Sequence, residues 1–138
     1  MNQQHVQRKA IRLSDPDAVA KLLAEACESF ADAQYIFIAS RDGLVVASGN
    51  SSDGEEDEVA LRGSVVAAAA ASIGDHFAVL ASHGRSQSVL FEADRGCVGV
   101  FPLTSTLVLV VGSAQSVSLG RLSATARKII AQLHAPNG

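Results

Sequence analysis

Aromatic side chains and blocks of positive charge are both scarce in this sequence. The 138 residues include one Tyr, no Trp and five Phe, and the formal net charge is −3 without a long basic run. Proteins that bind nucleic acid place clustered Lys and Arg side chains against the phosphates, and many stack the bases on aromatic rings. The composition therefore predicts no nucleic-acid partner.

Segments that would direct the chain to a membrane or to an oxidising compartment are also missing. The N-terminus (MNQQHVQRK) lacks the apolar stretch of a signal peptide, and no apolar run reaches the roughly 20 residues that span a bilayer. The two cysteines, Cys27 and Cys97, have neither CxxC nor metal-ligand spacing. We therefore predict a cytoplasmic protein with buried thiols, no membrane insertion and no metal.

Motifs that mark common active sites do not occur either, including GxxxxGK, GxGxxG, HExxH and GxSxG. Ser72, Asp75 and His76 lie together on one predicted helix, but consecutive side chains on a helix point about 100° apart, so Asp75 cannot orient His76. Cys97 lies in an apolar run, where burial makes a thiol inert. The sequence thus predicts no catalytic residue, no cofactor and no enzymatic chemistry of its own.

The residues that are present suit one domain of ordinary size, with 48% hydrophobic content. We predict a loose arm over residues 1–13 and a single domain over residues 14–135. Hydrophobic period and turn signals predict the following helices and strands: helices Asp15–Phe30, Asp57–Ser82 and Ser116–His134, and strands Ala33–Ala39, Leu44–Ala47, Ser88–Ala93, Cys97–Phe101 and Thr106–Val111. The order α-β-β-α-β-β-β-α predicts a three-layer α/β/α sandwich around a five-stranded antiparallel sheet.

The stretch Asp57–Ser82 is the most distinctive part of the chain. No charged residue lies between Arg62 and Asp75, and Ala67–Ala71 is an unbroken alanine run, so the stretch predicts a helix that is apolar nearly all round. Such a helix needs cover on more than one side. The bulkier stripe is predicted to face the sheet: Val59, Gly63, Val66, Ala70, Ile73, Phe77 and Leu80. The smoother opposite side is predicted to contact a second copy of the chain: Leu61, Ser64, Val65, Ala68, Ser72 and Val79.

Two alternatives remain for this helix: which segment packs on its smoother side, and what the acidic residues at its N-terminus do. A long loop or the N-terminal arm, rather than a second copy, could fold over the smoother side. The acidic segment Asp53–Glu58 is predicted to stabilise the helix N-terminus, where backbone N–H groups attract carboxylates. A metal site is the alternative, although the spacing does not match a calcium loop.

Several local motifs, taken in their order and spacing, resemble the Roadblock family of dynein-light-chain-type domains. The resemblance covers about Asp17 to Leu133, and the alanine-rich central helix is part of it. The other motifs are these: YIFIASRDGLVVAS (Tyr35–Ser48), SVLFEADRGCVGVFPL (Ser88–Leu103), TLVLVV (Thr106–Val111) and SLGRL (Ser118–Leu122).

The resemblance implies a homodimer in which the central helices pack together and the edge strands that follow them pair, which adds Val89 and Phe91 to the predicted contact. It also implies that the partner is a small Ras-like GTPase whose nucleotide cycle the dimer modulates. Glu58, Arg62 and His76, on the flank of the central helix, are the residues predicted to contact this partner. Two other functions stay open: a small-molecule sensor, and a structural subunit of a larger signalling or motor assembly.

Overall fold

The structure is a computed structural model, and it describes residues 15–30, 33–49, 54–114 and 117–134, with the backbone alone for residues 54–57. The predicted arm over residues 1–13, most of the polar loop before the central helix, and the final residues lie outside these ranges. Predictions about them therefore stay predictions.

Three helices and five strands follow one another in the predicted order. Their bounds are α1 Pro16–Ser29, β1 Ala33–Ser40, β2 Val45–Ser48, α2 Gly54–Leu80, β3 Val89–Ala93, β4 Gly96–Pro102, β5 Leu107–Ala114 and α3 Leu119–His134. Helix α2 begins before the predicted Asp57, so the acidic segment from Gly54 onward belongs to the helix rather than to a preceding loop.

The five strands form one sheet with the order β2-β1-β5-β4-β3, and every neighbouring pair is antiparallel. The β3–β4–β5 meander and the β1–β2 hairpin are thus joined along the β1–β5 contact. Strand β3, whose mixed polarity is typical of an edge strand, lies at one edge of the sheet, and the short strand β2 lies at the other.

Local sequence signals account for where the elements begin and turn. Asp15 caps α1, because its side chain accepts a hydrogen bond from the backbone N–H of Ala18, and Pro16 occupies the first helical position. The β1–β2 turn contains Gly43 with a φ of +91°. Glycine adopts this conformation without steric cost, which is why Asp-Gly marks the hairpin.

Each face of the sheet carries its own core, which confirms the three layers. Helices α1 and α3 cover one face, where large side chains of the helices, such as Leu23 and Ile129, pack with large side chains of the strands, such as Ile36 and Leu109. Helix α2 covers the other face. There the sheet supplies bulk, such as Phe37, but the helix supplies small residues: Ala60, Ala67, Ala70 and Ala71.

The predicted orientation of α2 is wrong for its bulky residues. Gly63 and Ala70 face the sheet as predicted, but Val66, Ile73 and Phe77 are 62%, 63% and 66% exposed. Val59 and Leu80 are exposed as well. The helix therefore turns its small residues inward and its bulky residues outward.

Ser64 also requires a correction, because it was predicted to contact a second copy and is instead fully buried. Its hydroxyl donates a 2.7 Å hydrogen bond to the carbonyl oxygen of Ala60, one turn earlier in the helix. A buried hydroxyl without a partner would cost free energy, and this backbone bond removes that cost. Ser64 thus acts as a small residue of the inner face.

Close approach of the helix to the sheet explains why small residues face inward. A Cβ atom at Gly63 would lie 3.1 Å from the Phe37 ring, and one at Gly74 would lie 2.7 Å from a methyl group of Val89. These distances leave little or no room for a side chain. Gly74 neither ends nor interrupts α2, which continues to Leu80.

Candidate functional site

The candidate site is the outer surface of α2, which exposes an unusual amount of apolar surface. Eight large hydrophobic residues of the helix are exposed: Val59, Leu61, Val65, Val66, Ile73, Phe77, Val79 and Leu80. Contiguous apolar surface on this scale marks a binding surface in soluble proteins.

At 3.6 residues per turn, the outer surface of α2 divides into three strips. We name them by what they adjoin. The "β3 side" consists of Val59, Val66, Ile73, Phe77 and Leu80. The "hairpin side", next to the β1–β2 turn, consists of Leu61, Val65, Ala68, Ser72 and Val79. The "crest" between them carries Glu58, Arg62 and His76.

The β3 side borders an apolar groove between the helix and the sheet. The groove has a volume of about 240 Å³, and Val59 and Val66 form one wall while Phe91 of β3 forms part of the other. Tyr35 and Phe37, whose rings stack with centroids 6.2 Å apart, line it from the sheet. Burial, and to a smaller extent electrostatic interaction with Cys97, raises the pKa of Tyr35 above its usual 10.0.

The hairpin side is held against the β1–β2 turn by an ion pair and a close backbone approach. Nη1 of Arg41 lies 2.6 Å from Oδ2 of Asp75, and both side chains are partly exposed. The α-carbon of Val65 lies 3.4 Å from where a Cβ atom of Gly43 would be. Leu44, the next residue of the turn, is 66% exposed, so it adds apolar surface beside this side of the helix.

The crest carries the charged and titratable residues of the outer surface. Arg62 Nη2 lies 3.5 Å from Glu58 Oε2, one helical turn away, and both side chains are well exposed. An exposed pair of this kind contributes at most about 1 kcal/mol. Both residues are therefore free to exchange this contact for one with a partner. His76 is exposed on the same strip, about 21 Å further along the helix.

The structure separates the residues that were predicted to form one dimer contact. Leu61, Val65 and Ser72 are exposed, and Ala68 is half-buried, all on the hairpin side. Val89, half-buried, and Phe91, 46% exposed, adjoin the β3 side instead. No sequence signal separated these sets, because the helical period alone does not say which side of α2 adjoins which sheet edge.

Two of the side chains that were considered for catalysis, Asp75 and Cys97, are engaged in other contacts. Asp75 binds Arg41 rather than His76. The Cys97 sulfur is buried 3.0 Å from the Ser113 hydroxyl oxygen. Within the described ranges, no group of three His, Cys, Asp or Glu residues lies close enough to hold a metal ion.

Helix α2 also has the length and composition of a membrane span. The stretch Glu58–Leu80 has a mean hydropathy of 1.4, and only 22% of its most apolar window is buried. The core helix of a water-soluble domain can have the same composition. Here the inner face packs on the sheet through Ala60, Ala67 and Ala71, so α2 is one layer of the domain.

Comparisons with known proteins agree on the fold. The family model described as the Roadblock/LC7 domain matches residues 19–113. No curated protein matches the sequence. MglB of Myxococcus xanthus has a similar structure, with a TM-score of 0.73 at 15% identity over 87% of each chain.

Two further solved structures are similar at comparable levels. A Roadblock/LC7 domain from Streptomyces avermitilis has a TM-score of 0.70 at 18% identity, over 81% of this chain and 91% of that one. A structure described as MglB with a tetrameric arrangement has a TM-score of 0.68 at 19% identity, over 86% and 87% of the two chains.

Proposed function

Because the chain belongs to the Roadblock/LC7 family, we propose that it is a homodimeric regulator or scaffold that binds a small Ras-like GTPase and modulates its nucleotide cycle. The observation that carries this proposal is the uncovered apolar outer surface of α2. One structural relative is described as tetrameric, which supports self-association in this fold.

The size of the exposed surface supports a stable contact between copies. Burying one large hydrophobic side chain contributes about 1.5–3 kcal/mol. These side chains are already partly buried, so covering all eight would contribute roughly 8–15 kcal/mol per chain before the cost of association. A micromolar dimer requires about 8 kcal/mol in net terms. Two chains that each bury most of this surface can therefore meet both the net requirement and the cost.

Modulation would proceed by positioning rather than by a donated catalytic group. The crest offers Glu58, Arg62 and His76 as contacts, and the remainder of the outer surface is apolar. Such a surface can hold a GTPase in the conformation that hydrolyses or retains its nucleotide, because a partner that prefers one state shifts the population toward it. We propose a cytoplasmic location, where the thiols of Cys27 and Cys97, which form no disulfide with each other, would stay reduced.

Binding and hydrolysis assays with purified proteins test the proposal. The natural probe is the small Ras-like GTPase encoded nearest to the gene of this chain, loaded with GDP or with a non-hydrolysable GTP analogue. We expect binding that differs between the two states, a changed rate of GTP hydrolysis or nucleotide exchange, and a dimer by light scattering. A monomer at micromolar concentration, or no binding in either state, would overturn the proposal.

The apolar groove does not favour a sensor function. Its volume of about 240 Å³ is below the roughly 300–1,000 Å³ of most ligand pockets. Among its lining side chains, the Tyr35 hydroxyl is the one polar group, whereas a specific ligand site usually combines several. Screening of metabolites by thermal shift remains the test of this alternative.

A further inference from the structure

We propose that the N-terminal arm, residues 1–13, folds back around the edge strand β2 and covers an apolar patch beside the β1–β2 turn. We name this surface the "hairpin patch", and it consists of Leu44, Val45, Leu61 and Val65. Its occupant is thus a segment of the same chain. The inference rests on the proposed function in one respect: while the arm is docked, the GTPase cannot contact this part of the outer surface of α2.

The hairpin patch is one continuous surface made by two elements. Leu44 and Val45 are exposed where the turn enters β2, and Leu61 and Val65 are exposed one helical turn apart on α2. The α-carbon of Val65 lies 3.4 Å from where a Cβ atom of Gly43 would be, so the turn and the helix are in contact. Apolar surface that joins two elements in this way marks a site for a further segment or a partner.

The arm is attached at the sheet edge that carries this patch. Helix α1 packs on β1 and β2, whereas α3 packs on β4 and β5. The short link after α1 reverses the chain into β1, and β2 is antiparallel to β1, so α1 and β2 run in the same direction. A Cβ atom at Gly49 would lie 2.6 Å from the carbonyl carbon of Leu23, which fixes their relative height. Seven helical residues and four strand residues both span roughly 10–13 Å, so Pro16 lies at about the level of Val45.

The arm is long enough to pass around β2 to the other face of the sheet. Helices on the two faces have axes roughly 20 Å apart, because each layer packs about 10 Å from the sheet. An extended segment covers about 3.3–3.6 Å per residue. Ile11 can therefore lie up to about 14 Å from Asp15, at Leu44, and Val6 up to about 30 Å away, at Leu61.

The β3 side of α2 is a poorer site for the same arm. It adjoins the opposite edge of the sheet, four strand spacings or about 19 Å from β2. Only the first few residues of the arm could reach it, and these are polar apart from Met1 (MNQQ). The apolar residues Val6, Ile11 and Leu13 lie closer to the attachment point, at the distance of the hairpin patch.

Charge also favours the hairpin patch once the neighbours on every element are counted. The arm contains three cations and no carboxylate: Arg8, Lys9 and Arg12. The crest pair of Glu58 and Arg62 adjoins both sides of α2 and is neutral as a pair. The other charged neighbours of the hairpin patch are four carboxylates and two cations: Asp15, Asp17, Asp42 and Asp75, with Lys21 and Arg41. The β3 side has two of each sign: Glu92 and Asp94, with Arg85 and Arg95. The cationic arm is therefore attracted more strongly to the hairpin patch.

Attachment to the domain makes a weak contact sufficient. A tethered segment acts at an effective concentration in the millimolar range, so it can cover the patch without the affinity that a separate peptide would need. A partner that uses the patch then binds only the uncovered fraction of the molecules. An arm that is docked in nine of ten molecules lowers the apparent affinity of such a partner about tenfold.

A tryptophan in place of Ile11 reports the position of the arm in the full chain, because the sequence contains no other tryptophan. We expect the fluorescence maximum of Ile11→Trp to lie at a shorter wavelength than in urea and not to change with protein concentration. Adding Leu44→Asp should move it to the wavelength of the unfolded chain. Ile73→Asp, at an equally exposed position on the β3 side, is the matched control and should not move it.

The GTPase provides the second measurement. The full chain with Ile11→Ser and Leu13→Ser should bind the small Ras-like GTPase about tenfold more tightly than the unsubstituted chain in biolayer interferometry. Unchanged affinity would overturn the masking of the patch. If no variant binds the GTPase in either nucleotide state, the proposed function fails, whereas the fluorescence result still decides where the arm lies.

Three fluorescence results would overturn the docking of the arm. They are a maximum of Ile11→Trp that equals that of the unfolded chain, a maximum that Ile73→Asp moves and Leu44→Asp does not, and a maximum that changes with protein concentration. The second result would put the arm on the β3 side, and the third would put it on a second copy. Leu61→Asp repeats the test from the helix if Leu44→Asp does not fold.

Discussion

Substitution of Ala71 by leucine tests the finding on which the candidate site depends, namely that α2 rests on the sheet through its small residues. Ala71 is 4% exposed and belongs to the same buried cluster as Phe37, Val100 and Val110. Leucine adds three carbon atoms at this contact. They can be accommodated only if the helix moves away from the sheet or the neighbours leave their preferred rotamers.

The expected cost follows from overpacking of a filled core. Extra methylene groups in such a core destabilise a protein by about 1–3 kcal/mol. For a chain of this length, each kcal/mol lowers the melting temperature by about 4 °C. We therefore expect Ala71→Leu to lower the melting temperature by about 4–12 °C and to lower the urea midpoint in proportion.

Ala69 provides the matched control, because it belongs to the same alanine run and is exposed. The change in helix propensity is identical at the two positions and amounts to a few tenths of a kcal/mol at most. Both variants are compared with the unsubstituted chain at one protein concentration, since the stability of a dimer depends on it. Equal stability of Ala71→Leu and Ala69→Leu, or lower stability of Ala69→Leu, would refute the assignment of the inner face.

Two further predictions concern the turn and the groove. A double-mutant cycle with Arg41→Gln and Asp75→Asn, measured by urea denaturation, should give a coupling free energy of about 0.2–1 kcal/mol, because both side chains are partly exposed. Salt at about 1 M should reduce this coupling free energy. A coupling free energy of zero at low salt would contradict the ion pair. Tyr35 is the single tyrosine of a chain without tryptophan, so ultraviolet titration of tyrosinate reports its pKa alone, and we expect a midpoint above 10.0. Because folding raises this pKa, the neutral hydroxyl contributes stability below pH 10, and this contribution is lost as the pH rises above 10. In urea denaturation, Tyr35→Phe should remove this part of the stability loss at high pH. A tyrosinate titration midpoint at or below 10.0 would contradict burial of the hydroxyl.

Elements that depend on local chemistry could be predicted from the sequence. Asp15 and Pro16 mark the start of α1, and Asp42-Gly43 marks the hairpin, because capping and positive φ are properties of a few adjacent residues. In β1, the apolar residues at both parities predicted burial on both faces. Ile36 and Phe37 are both buried there and belong to the two separate cores.

The orientation of α2 could not be predicted in the same way. Its sequence is apolar on all sides, so the rule that apolar residues face inward does not select a face. The size of the apolar side chains, used as a second criterion, selects the wrong face, because it leaves out the distance between the helix and the sheet. That distance is set by pairs such as Gly63 and Phe37, which lie far apart in the sequence.

The arrangement of α2 has a physical explanation that involves two different requirements. On the side that faces the sheet, close packing requires a short distance between helix and sheet, and the small residues Ala60, Ala67 and Ala71 allow it. The strands fill the space between them with larger side chains, such as Phe37 and Val110. Toward a partner, affinity depends on the apolar area that association removes from water. Ile73 and Phe77 supply such area, as do Leu61 and Val79 across the crest. A protein that acts only as a monomer would gain stability by burying that area inside. Under the proposed function, a second copy and the GTPase cover it from outside.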